Sequence, residues 1–189
     1  MTLKRSLLVV PAMLAAAPAF AHTGFHVSGF SAGVLHPLGG LDHALAMMAV
    51  GLFAAMLGGR ALWAVPGSFV AVMLIGGGLG FAGIDIPAAE IGIAASVLVL
   101  GFLVALGRTW PLGAAMALAG GFAVFHGYAH GAEIPSGAGP LSYSLGFAFA
   151  SAVLHLAGLA AGLVTFGRWK VARLAGAAVT LGGLVLALG

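Results

Sequence analysis

Charge is what this sequence has least of. Of 189 residues only 6% are Asp, Glu, Lys or Arg, while 62% are hydrophobic. A soluble domain carries roughly 25% charged residues, so a soluble fold of this length is excluded for want of a charged shell. Cysteine is absent, which excludes disulfides, Cys-ligated zinc, iron–sulfur clusters and thiol catalysis. The seven Lys and Arg are scattered. The net charge of +3 and the pI near 10.0 therefore mark no nucleic-acid surface, which needs a basic patch interleaved with aromatics. No nucleotide-binding loop and no HExxH occur. What is abundant is apolar sequence, with a mean hydropathy of +1.18, and against so few charges the seven histidines stand out. The expected fold class is an all-α membrane protein.

Residues 1–21 read as a secretory signal peptide: a basic start at Lys4 and Arg5, an apolar stretch from Leu7 to Ala16, and a small-x-small cleavage site at Ala19-Phe20-Ala21. Cleavage there makes His22 the mature N-terminus, whose amine and imidazole together can chelate a metal, with His26 close behind. An uncleaved first membrane helix is the alternative. Residues 22–189 then form a single transmembrane domain of six helices, with spans at about 31–58, 61–82, 87–107, 110–131, 141–167 and 171–188, each near the roughly 20 residues that cross a bilayer core. Arg60, Arg108, Arg168, Lys170 and Arg173 fall in alternate loops, and Asp85, Glu90 and Glu133 in the others. The positive-inside rule makes the first set cytoplasmic, so the expected location is a bacterial inner membrane with a periplasmic mature N-terminus. Glycine runs such as Gly76-Gly77-Gly78 and Gly120-Gly121 suit close helix contact.

The first span contains His36-Pro37-Leu38-Gly39-Gly40-Leu41-Asp42-His43. A charged Asp within a lone membrane helix costs roughly 2.5–3.5 kcal/mol, so Asp42 needs a partner or a role. On a regular helix His36 and His43 share a face and Asp42 points about 100° from His43. Pro37 and Gly39-Gly40 are able to break the helix and change that, and an Asp beside a His can orient its imidazole. In the fourth span His126, His130 and Glu133 are spaced i, i+4 and i+7. They share one face if the helix runs that far, and two imidazoles with a carboxylate are a donor set that divalent transition metals accept. His155 sits in the middle of the fifth span and is a further candidate metal ligand, with a hydrogen-bonded packing histidine as the alternative. Ser142, Tyr143, Ser144 and Ser151 offer hydrogen bonds to such a site, and Met47 and Met48 read as packing. The polar residues descend from the expected outer face to mid-depth, as a site loaded from outside would.

At these positions the sequence resembles the HupE/UreJ family of bacterial membrane proteins, whose hallmarks are HP-x-x-G-x-DH followed by an Ala/Met-rich run, and a later FHG-x-AHG-x-E. Here they read His36 to His43, continuing to Gly51, and Phe125 to Glu133, and the Leu154-His155 pair followed by Gly158 also matches. The resemblance spans essentially the whole mature chain. It implies a permease supplying nickel, or cobalt, to hydrogenase or urease, with His36, Asp42, His43, His126, His130 and Glu133 on the metal path.

The leading expectation is thus a secondary permease rather than an enzyme, with Ni²⁺ or Co²⁺ as cargo, no permanent cofactor, the lipid bilayer as its surroundings and no nucleic acid as partner. A homo-oligomer stays open. The competing readings are a metal-binding accessory factor that does not conduct, an electron-transfer protein whose histidine pairs hold haem, and an intramembrane metallohydrolase using Glu133 or Asp42 as base.

Overall fold

The computed structural model describes residues 29–165 and 169–188. The expected signal peptide, His22, His26 and Arg168 lie outside these. Among the described residues all regular structure is helical: α1 (Gly29–Gly39), α2 (Leu41–Leu57), α3 (Ala61–Phe81), α4 (Ala89–Leu106), α5 (Leu112–Ala132), α6 (Pro140–Val164) and α7 (Trp169–Leu188). Five of the helices are long and apolar enough to cross a membrane, and α1 with α2 makes a sixth candidate broken in the middle.

That break corrects the first expected span, 31–58, which is not one helix. The chain turns by 85° between α1 and α2. The cause is local: Pro37 cannot donate to the ladder, and Gly40 is extended, with φ −99° and ψ 116°. A backbone left open inside a bilayer is tolerated only where protein or a polar cavity lines it. The break therefore marks where the polar interior lies. The other five spans match their expected ranges to within a few residues.

Four helix pairings dominate the bundle: α3 with α5, α6 with each of α1 and α2, and α4 with α7. The centre is α2, where Ala46, Met47, Ala49, Val50 and Phe53 are wholly buried. Phe69 and Met73 of α3, Val97 and Leu100 of α4, and Phe147 of α6 complete the core around it. Large apolar side chains such as Trp63, Ile75, Ile91, Leu141, Phe149 and Leu156 are exposed on the outside, which suits lipid rather than water. The loops sort by charge as expected. Arg60, Arg108 and Lys170 lie at one end, where the Arg173 Nε donates to the Ala105 carbonyl oxygen over 2.6 Å. Asp85, Glu90 and Glu133 lie at the other, where the Tyr128 hydroxyl donates to Asp85 over 3.0 Å. The bundle thus has a basic end and an acidic end.

Candidate metal site

Glycine decides where the histidines sit. A methyl added at Gly127 would overlap the Met73 carbonyl oxygen, and one at Gly131 the Gly77 carbonyl oxygen. The backbones of α5 and α3 therefore meet directly along this seam, which only residues without a Cβ allow. His126 and His130 each precede one of these glycines, about 100° around the helix, and so turn into the bundle. Both are wholly buried. His43 is drawn into the same place by the break before α2, and His36 by the last turn of α1. The result is a string of imidazoles. His36 and His130 have ring centroids 4.8 Å apart, His130 and His43 are 4.7 Å apart, and His43 and His126 are 4.9 Å apart.

The hydrogen bonds fix which nitrogens are bare. Asp42 Oδ1 lies 3.0 Å from His43 Nδ1 and also accepts the His43 backbone N–H at 2.8 Å. An ionised carboxylate only accepts, so Nδ1 carries the proton and Nε2 presents a lone pair. The His43 Nε2 is buried without a partner. At His126 the partner is Ser96. Its hydroxyl donates to the Ile93 carbonyl oxygen over 2.6 Å, which uses its one proton. Toward His126 Nε2, 2.8 Å away, Ser96 can only accept. A neutral His126 then holds its proton on Nε2 and leaves Nδ1 bare, and that Nδ1 is again buried and unpartnered. His36 Nε2 lies 3.2 Å from Glu133 Oε2, by the same logic turning its Nδ1 free. His130, between them, has no partner for either nitrogen. A buried polar atom without a hydrogen bond costs about 1–3 kcal/mol, so packing alone does not explain this cluster. A ring tied at one nitrogen by an oxygen, with the other free, is how metal-binding histidines are held.

The expected residues are thus brought together, with one departure from the expected geometry, at Glu133. Asp42 faces His43 and orients it. Glu133 does not continue the His126–His130 face, because α5 stops at Ala132. Its half-exposed carboxylate reaches across to His36 instead. Among the described residues no three His, Asp or Glu side chains already close on one point as a finished metal cage. His155 lies apart from the string, 1% exposed, with both ring nitrogens unpartnered. Tyr143 is buried 5.9 Å from His36 between centroids, its hydroxyl without a partner. Phe147 stacks on His130 at 4.8 Å. Ser96 and Phe69, which touches His126 at 5.5 Å, were not singled out from the sequence. A serine and a phenylalanine in apolar helices carry no motif, and only the packing of α4 and α3 against α5 reveals them.

The family model described as HupE / UreJ protein matches residues 10–186. Protein HupE of Rhizobium leguminosarum bv. viciae is 46% identical over 173 residues, which cover 90% of this chain and 91% of that protein. No solved structure matches.

Proposed function

The chain belongs to the HupE/UreJ family, and from that premise we propose that it is an inner-membrane permease that takes up Ni²⁺ or Co²⁺ for a nickel enzyme, hydrogenase or urease. One observation carries the proposal. Four imidazoles touch in sequence, and at His43 and His126 the nitrogen that would meet an ion is bare, buried and unpartnered, while an oxygen holds the other. Imidazole with nearby carboxylate suits these two ions.

A string of donors also suits cargo better than a closed cage does, because conduction needs sites that bind and then let go. Glu133, Asp42 and His36, the most exposed members of the group, make its entrance. With the basic end cytoplasmic, that entrance faces the periplasm. The inward membrane potential gives a doubly charged ion roughly 4.6 kcal/mol per 100 mV, enough to drive uptake without ATP. The histidine contacts speak against haem: rings with centroids 4.7–4.9 Å apart leave no gap for a macrocycle between them.

The test is metal content by mass spectrometry of cells expressing the protein in medium with trace Ni, Co, Cu, Zn and Fe together. Wild type accumulates nickel or cobalt selectively. His43→Ala, His130→Ala and Asp42→Ala/His43→Ala, present at equal levels in the membrane, do not. Equal metal content in all of these strains overturns the permease and leaves the accessory factor.

A further inference from the structure

Below the histidine string the bundle holds one more imidazole that nothing in its surroundings satisfies. His155 is 1% exposed, and neither ring nitrogen has a hydrogen-bond partner. A leucine there would avoid the penalty of about 1–3 kcal/mol that each such atom carries. Packing therefore gives no reason for a histidine at this depth.

Its one aromatic neighbour among the described residues is Phe69, 5.1 Å away between centroids and nearly perpendicular at 81°. The same Phe69 ring, wholly buried, touches His126 at 5.5 Å. His126 ends the string, and it lies farther from the acidic end than His130, since α5 runs from Leu112 at the basic end toward Glu133. One ring thus has the last imidazole of the string on one side and His155 on another. One helical turn toward the acidic end from His155 and Phe69, the Ser151 hydroxyl meets the Met73 sulfur at 3.6 Å, so an oxygen and a thioether stand beside the same step. Beside His155 and toward the basic end, two helices close on each other. A methyl on Gly51 would overlap the His155 carbonyl oxygen, and one on Gly158 the Met48 carbonyl oxygen, so α2 and α6 meet backbone to backbone there.

We propose that His155 is a second, inner station for the transported Ni²⁺ or Co²⁺, separated from the four-histidine string by the Phe69 ring. This rests on the permease reading and adds an order of events to it. The ion is held first by His36, His43, His126 and His130, then passes Phe69. Ring faces attract cations, so the aromatic separates the stations without repelling what must cross. The ion waits at His155 until α2 and α6 part.

The experiment compares wild type with His155→Leu in three measurements: metal accumulation in cells, equilibrium Ni²⁺ and Co²⁺ titration of the purified protein in detergent, and thermal melting. His155→Leu loses at least about tenfold of uptake, keeps the affinity of the outer string to within about twofold, and melts no lower than wild type, because an apolar residue replaces an unsatisfied one. Undiminished uptake by His155→Leu overturns the inner station. So does a lowered melting temperature together with lost binding, which would make His155 a packing residue. The two proposals fail separately. Should wild type accumulate no more metal than the Asp42→Ala/His43→Ala strain, the permease itself falls; should wild type and His155→Leu accumulate equally above that strain, only the inner station does.

Discussion

Ser96→Ala is the sharpest perturbation of the candidate site, because it removes one oxygen and no proposed ligand. In the wild type the Ser96 proton is engaged by the Ile93 carbonyl at 2.6 Å. The hydroxyl therefore holds His126 by accepting from Nε2 at 2.8 Å. Alanine removes that acceptor. His126 is then free to carry its proton on Nδ1, the nitrogen that faces the ion, and free to rotate. Loss of such a supporting contact typically costs 10- to 100-fold in metal affinity, which is about 1.4–2.7 kcal/mol. Ser96→Thr keeps the hydroxyl and keeps the affinity. Titration of the purified variants with Ni²⁺ measures the affinity, and ¹⁵N NMR of labelled histidine reads which nitrogen of His126 holds the proton. An Ser96→Ala protein that binds metal as tightly as wild type, with His126 still protonated on Nε2, would refute the argument. His126 would then not depend on Ser96, and its Nδ1 would lose its standing as a ligand.

Two further outcomes follow from the same geometry. Gly131→Ala sets a methyl against the Gly77 carbonyl oxygen and destabilises the protein by about 1–3 kcal/mol in a detergent melting experiment. Gly121→Ala on the same helix, where an added methyl meets nothing within 4 Å, leaves the stability unchanged or raises it by up to about 1 kcal/mol, and an equal loss for the two would show that the α3–α5 seam is not backbone-tight. Acidification acts through the ligands: protons compete with metal for imidazole nitrogens, so accumulation at fixed free Ni²⁺ falls as the medium goes from about pH 7 to about pH 5. A rate that is flat or rises over that interval would mean that imidazole does not hold the ion.

Much of this was legible in the sequence because membrane helices are long, apolar and bounded by short loops. The five unbroken spans could be drawn from hydropathy, and the His36–His43 and His126–Glu133 motifs announced themselves as polar residues where polar residues are costly. Pro37 and Gly39-Gly40 announced that the first span was able to bend. They did not give the 85° turn, and so the common face of His36 and His43 on a straight helix was the wrong construction, even though the two rings do end 6.4 Å apart. Periodicity puts Glu133 on the face of His126 and His130 only if the helix runs that far, and α5 stops one residue short of it. Ser96 and Phe69 were illegible for a different reason. Their significance comes from residues 30 or more positions away, and nothing in their local pattern distinguishes them from the many serines and phenylalanines that merely pack.

The glycine seams have a mechanical consequence. Helices that meet through side chains interlock, the ridges of one lodged in the grooves of the other, and to move they must climb out. Where Gly127 and Gly131 lie on α3, and where Gly146 and Gly158 lie on Phe30 and Met48, there are no ridges to lodge. These surfaces are smooth, and displacement along them takes the form of shear, a small sliding of packed helices. The helices bounded by these seams are the ones that carry the imidazoles, α5 with His126 and His130, and α6 with His155. Because the two seams lie against different partners, a slip along one would leave the other in register, and any such slip would change the spacing between the imidazoles.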